Sequence, residues 1–162
     1  NAIWSAVALG ALKFYILKVE PKKGMVFDPK QSIDLQGHTG PYIQNAYVRT
    51  QSVQRAFAQK QINTAGIDYS DYELQDIERE LLLQIQQYPA TVLKAAEEYN
   101  PGEIANFLYT LGKTFHQFWN IVKILDENDM PASAFRLDIS KAVAKVLESA
   151  GRLLGMDMPG RM

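Results

Sequence analysis

The stretch SIDLQGHTGPYIQNAYVR, residues 32–49, decides how the rest of this 162-residue chain is read. Gly37 and Gly40 give a turn its backbone freedom, Thr39 carries the hydroxyl of an N-cap, and Pro41 suits a first helical turn. Beyond that start, Tyr42, Ala46, Val53 and Phe57 recur at roughly helical spacing, which predicts a helix from about Gly40 to Lys60 with one apolar stripe. Its charges are Arg49, Arg55 and Lys60, all positive.

Upstream, Ile3 to Val19 reads as a helix apolar around most of its surface, ending before Pro21. Lys22-Lys23-Gly24 is a turn, Met25-Val26-Phe27 a short extended piece, and Asp28-Pro29 the start of a brief helix towards Leu35. Downstream, the loop Gln61 to Tyr69 contains Gly66. Ser70 with Glu73 then has the spacing of a capping box, ahead of Leu74, Ile77, Leu81 and Ile85 on one helical face. Pro89 is expected to open a further helix ending near Asn100. Asn100-Pro101-Gly102-Glu103 supplies the next cap, and the helix to Val122 carries Phe107, Tyr109, Phe115, Phe118 and Trp119. A last helix from about Pro131 to Leu154 has the stripe Phe135, Ile139, Val143, Val146, Leu147 and Leu154. The fold class expected is all-α: a bundle of four or five long helices behind a short helix–strand–helix segment.

Composition narrows the function. With 47% hydrophobic residues, the chain can build one core. It has no cysteine, which rules out disulfides, thiolate metal sites and cysteine nucleophiles. The net charge is only −1, yet it is unevenly spread. Between Asp68 and Glu103, nine carboxylates face Arg79 and Lys94 alone, a local −7 that leaves +6 elsewhere. Such a chain suits an anionic partner met on one side. Lys13 and Lys18 interrupt the first apolar run, making it a poor membrane span, and it lacks the pattern of a signal peptide. Residues 1 and 2 read as a cloning remnant ahead of a segment that begins mid-protein.

Four stretches, in order, carry a family resemblance: GALKFYILKVEPKKGMVFDP (residues 10–29), SIDLQGHTGPYIQNAYVR, AAEEYNPGEIANFLYTLGKTFHQFW (residues 95–119) and AFRLDISKAVAKVLESAGRLLGMDMPGRM (residues 134–162). Together they resemble the C-terminal part of the class I arginyl-tRNA synthetases. The resemblance implies that residues 1–39 are the end of a catalytic domain and 40–162 the helical anticodon-binding bundle named for its DALR motif. That motif region reads SAFRLDIS here, so Arg136 and Leu137 match while the residues before them drift. Asn45 also departs, because the family usually has an aromatic residue there.

The implied function is recognition of the anticodon stem-loop of the tRNA for arginine, as part of a cytoplasmic arginine–tRNA ligase using ATP with Mg2+. The implied partners are that tRNA and the upstream catalytic domain, with no membrane and no DNA. The chain itself lacks both class I ATP-binding signatures and a Gly-rich phosphate loop, so no catalytic residue, cofactor or metal is expected in it. Candidate RNA contacts are Tyr42, Gln44, Arg49, Tyr109, Lys113, Arg136, Arg152, Arg161 and Met162, with Arg55 as a further cation and Trp119 as a further stacking ring. Phe115 and Phe118 read as core. His38 reads as a turn residue or an RNA contact, His116 as a packed residue, and Arg161-Met162 as an RNA contact or a frayed end. Two alternatives remain at this stage. One is the anticodon domain of a related synthetase such as the cysteinyl enzyme. The other is a helical protein-interaction module using the apolar first helix.

Overall fold

The computed structural model describes residues 2–162. Among these residues six helices follow one another: α1 (Ala2–Leu17), α2 (Pro29–Ser32), α3 (Gly40–Gln59), α4 (Asp76–Glu97), α5 (Gly102–Ile121) and α6 (Met130–Leu153). The α5–α6 pair is the centre of the bundle. Helix α4 packs on both of its members and so does α3, which also receives α1 on its outer side. This arrangement places α3 and α4 on opposite sides of the pair, so the acidic span and the cationic helix face different directions.

Helix α3 begins as the sequence predicts. Thr39 Oγ1 accepts the Tyr42 amide at 3.3 Å, and Pro41 lies in the first turn. Gly40 is required by proximity: a Cβ there would lie 2.4 Å from the Gly10 carbonyl of α1. A Cβ on Gly10 would in turn meet Gln44 Nε2 at 2.5 Å. The two helices therefore cross almost backbone to backbone. The core that follows consists of Phe14, Ile43, Leu81, Leu108, Leu111, Phe115, Phe118, Val143 and Leu147, all fully buried.

The all-α class stands, with three local corrections. Met25–Phe27 forms no strand: no ladder partner exists among the described residues, Val26 is 88% exposed, and the segment is held by Tyr15, whose hydroxyl donates to the Val26 carbonyl at 3.1 Å. Ser70 and Glu73 do not start α4. The chain instead makes tight turns there, with the Ser70 amide on Asp68 Oδ1 and the Tyr72 amide on the Tyr69 carbonyl. The reciprocal carboxylate is Glu78, which accepts the Gln75 amide at 2.9 Å. Finally, Pro89 lies inside α4 rather than at a new start. An interior proline costs a helix about 3 kcal/mol. Packing of Ile85 and Tyr88 before it and Ala95 after it holds the helix continuous, with Pro89 itself exposed.

Glu78 does more than cap. Its carboxylate is fully buried and accepts Arg136 Nε at 2.8 Å and the Tyr72 hydroxyl at 2.9 Å. Arg136 also donates Nη1 to the Lys123 carbonyl and Nη2 to Tyr72. One ion pair thus ties α4, α6, the loop before α4 and the α5–α6 connection. Burial, the largest single influence, would by itself depress the Arg136 pKa, but the hydrogen bonds and charge of Glu78 and Tyr72 together outweigh it and raise it. Arg136→Met, which strands the buried Glu78 charge, should destabilise the chain by about 3–5 kcal/mol in urea denaturation, and adding Glu78→Leu should recover much of the loss. Gly40→Ala should likewise lower the urea midpoint, because α1 and α3 must move apart.

Candidate nucleic-acid interface

Where α3 and α5 lie side by side, residues seven apart on each helix share a face: Tyr42 and Arg49 on one, Tyr109 and His116 on the other. Their rings meet. His38, from the turn before α3, sits 4.1 Å from the Tyr109 ring, Tyr109 is 5.5 Å from Tyr42, and Tyr42 is 4.5 Å from His116. One further turn along, the Arg49 guanidinium lies 5.5 Å from the Trp119 ring. Helix α3 contains no carboxylate, and Arg49 makes no ion pair among the described residues. Lys113 is exposed one turn from Tyr109, and Lys18 Nζ donates to the His38 carbonyl at 3.0 Å. The strip is a row of rings, half-buried except for the buried His116, edged by cations.

Both histidines of the chain belong to it. His116 Nε2 donates to the Tyr42 carbonyl at 3.2 Å, leaving Nδ1 buried without a partner, as is Nε2 of His38. Burial lowers both pKa values, aided at His38 by Lys18 and opposed at His116 by the bond to Tyr42. Burial also raises the Tyr42 pKa.

A second cluster forms at the chain end. Helix α6 closes at Gly155, whose φ of +66° suits glycine, with the Met156 amide reaching back to the Gly151 carbonyl at 2.9 Å. The segment after it doubles back along the bundle. Gln44 Nε2 donates to the Ala6 carbonyl at 3.1 Å and to the Asp157 carbonyl at 2.8 Å, Lys13 donates to the Gly155 carbonyl, and Arg55 Nη1 donates to the Gly160 carbonyl at 2.9 Å. Met162, 45% exposed, lines a mainly apolar cavity of about 420 Å³ with Ile3, Trp4, Val7, Ile33 and Leu35. The last residues are docked, not frayed.

The expected contacts divide accordingly. Tyr42, Arg49, Tyr109 and Lys113 gather on the α3–α5 strip, with Trp119 beside them. Arg152, Arg161 and Met162 lie near the chain end, Arg152 exposed and 3.5 Å from Glu148. Gln44 and Arg136 are corrections. Gln44 is fully buried as the clamp between α1, α3 and the tail, and Arg136 is spent on Glu78, so neither offers a donor to a ligand at the surface. Phe115 is core, as read. The pairing of His38 and His116 through two tyrosines was missed. The seven-residue spacings were visible, but which helix faces α3 was not.

Half-buried rings flanked by cations are the kind of surface chemistry that suits unstacked bases and phosphates, and here it is carried on a helical bundle. The chain belongs to the DALR anticodon-binding domain family, whose profile matches residues 43–162. It is 42% identical over 163 residues to the arginine–tRNA ligase of Flavobacterium psychrophilum, covering 99% of this chain and 26% of that protein. The corresponding ligase of Bacteroides fragilis is 41% identical over 96% of the chain and 26% of its own length. The solved arginyl-tRNA synthetase of Thermus thermophilus superposes with a TM-score of 0.84 at 28% identity, covering 97% of this chain and 27% of that one. The chain therefore spans about a quarter of the length of these relatives.

The two lowered histidine pKa values set a pH dependence. An unfolded histidine takes up a proton near pH 6.5, while the folded chain keeps both rings neutral to lower pH. The unfolded state then binds more protons, so this contribution to stability is complete above about pH 6.5 and declines as the pH falls through that value. The urea midpoint should drop between about pH 7 and pH 5.5, and His116→Gln should drop less over the same interval.

Proposed function

We propose that this chain holds the anticodon stem-loop of the arginine-accepting tRNA as the C-terminal part of an arginine–tRNA ligase. The observation that carries the reading is the cationic aromatic strip on α3 and α5, opposite the acidic α4 side, within a chain of the anticodon-binding family. Helices of about 20 residues run about 30 Å, long enough to lie along a stem-loop. Arg49 and Lys113 serve the phosphates, Tyr42, Tyr109 and Trp119 present ring surface to bases, and Arg161 with Met162 extends the contact from the docked tail.

The chain's part in the reaction is positioning. Binding energy gained far from the reacting bond holds the tRNA so that its acceptor end reaches the catalytic centre. That centre, with ATP and Mg2+, belongs to the three quarters of the relatives' length that this chain does not span. The boundary between the two parts falls near Gly40. The exposed apolar face of α1, with Trp4 73% and Leu9 48% accessible, is the seat for the catalytic part, and the setting is the cytoplasm.

Titration of the chain with the arginine tRNA and with a tRNA of different anticodon, at two salt concentrations, tests the reading. The arginine tRNA should bind more tightly, and its affinity should fall with salt. Arg49→Gln and Lys113→Gln should each reduce the slope of log K against log salt by about 1, with the fold unchanged. Equal affinity for both tRNAs with unaltered slopes would refute it.

A further inference from the structure

The outer side of α4 carries a feature that anticodon binding does not use. Arg79, Leu83, Gln86, Ala90, Leu93 and Glu97 recur at alternating spacings of four and three residues, so they form one line along the helix, and all of them are exposed. Leu83 is 53% and Leu93 60% accessible, and Leu82 beside them also faces water. At 1.5 Å per residue the line runs about 27 Å from Arg79 to Glu97. Exposed leucines scattered singly are ordinary on a protein surface. Three on one helical face, with Ala90 between them, form a seam of the kind that another helix packs into.

Among the described residues nothing covers this face. Helix α4 turns its other side, with Glu78, Leu81, Gln84 and Ala95 buried, towards α5 and α6, whereas α1 packs on α3. The seam thus lies away from both the α3–α5 strip and the apolar face of α1. Its surroundings are acidic. Asp71, Glu73 and Asp76 at one end and Glu97 and Glu98 at the other are exposed, and none of them makes an ion pair among the described residues. Against them stand Arg79 and Lys94, and Lys94 is already paired with Glu103 at 3.0 Å. Just past the second acidic end, Tyr99 holds a left-handed φ of +51°, uncommon for an aromatic residue, and is 88% accessible. The core makes no use of that ring.

Charge selects the occupant. Unpaired carboxylates at both ends of the seam repel nucleic acid and anionic lipid. A second copy of this chain would bring the same carboxylates with it, and with acid at both ends neither a parallel nor an antiparallel pairing escapes the repulsion. We propose that the outer face of α4 docks a basic amphipathic helix of a partner protein. The apolar side of that helix lies along Leu82, Leu83, Ala90 and Leu93, and its lysines or arginines meet the carboxylates at either end. Nothing in this docking depends on RNA binding. Because the seam faces away from the α3–α5 strip, the partner and an RNA are held on different sides of the bundle.

The probe is a labelled synthetic peptide of lysine and leucine, about 18 residues long to span the seam, with its leucines at helical spacing. Titration with this chain should raise its fluorescence anisotropy. A peptide of the same composition in scrambled order, and one with every lysine replaced by glutamate, should both bind roughly tenfold more weakly or worse. Leu83→Ser combined with Leu93→Ser should weaken the helical peptide roughly tenfold, the order expected for losing two partly buried leucine contacts. Both positions are exposed, so circular dichroism of that variant should match the parent chain. Glu97→Gln with Glu98→Gln should also weaken the peptide and flatten its salt dependence. Trp4→Ser, on the apolar face of α1, should leave its affinity unaltered. Equal binding of the scrambled peptide would reduce the effect to general charge attraction and overturn the docking surface. So would absence of binding, or binding lost in Trp4→Ser but kept in the α4 variants. Sedimentation that finds a dimer dissolved by Leu83→Ser with Leu93→Ser would overturn it too, and give the face to a second copy.

Discussion

The buried pairing of Glu78 with Arg136 is the constraint on which the bundle's arrangement depends. A carboxylate with no exposed surface is tolerable only with its oxygens satisfied, and here a guanidinium, a phenol and a backbone amide do so. Those partners come from α6, from the loop before α4 and from Gln75, the residue that caps α4. Because guanidinium geometry is planar and fixed, the network sets where α4 starts and how α6 lies against it. It also explains the matched arginine of the family motif: in this chain Arg136 organises the domain from inside.

The other side of the molecule is governed by closeness. At Gly10 and Gly40, α1 and α3 cross without room for a Cβ, and directly below them Gln44 donates to both α1 and the returning tail. That contact ties the helix with the exposed apolar face to the last residues of the chain. The acceptor atom of Gln44 is buried without a partner, so its two donations are made at some cost in desolvation. The α3–α5 strip lies outside this locked region, where side chains stay half-exposed and the field of α3 is uncompensated.

Much of the bundle was legible in the sequence because its signals are local. Thr39 and Pro41 start α3, Asn100 Oδ1 accepts the Gly102 amide ahead of α5, and Gly155 closes α6 as their residue types require. Ser70 and Glu73 carried the same kind of signal and it did not hold, because Glu78 outcompetes them through Arg136, 58 residues away. Pro89 failed as the start of a new helix for a related reason: packing of α4 on both sides of it exceeds the local cost. The candidate site was half legible. Tyr42, Arg49, Tyr109 and Lys113 announce RNA chemistry by type and spacing, whereas Gln44 and Arg136 have the same types and a different fate.

By itself, then, the chain's sequence determined the helical class and the apolar stripes of its long helices, the absence of thiol chemistry, the division of charge along its length and the family it resembles. Those follow from periodicity, caps and composition, which act within a few residues. Only the tertiary structure decided which polar side chains face water and which are consumed inside. It also decided that α5, not α4 or α6, supplies the rings beside Tyr42. The burial of a side chain depends on what packs over it from distant parts of the chain, and no local pattern encodes that.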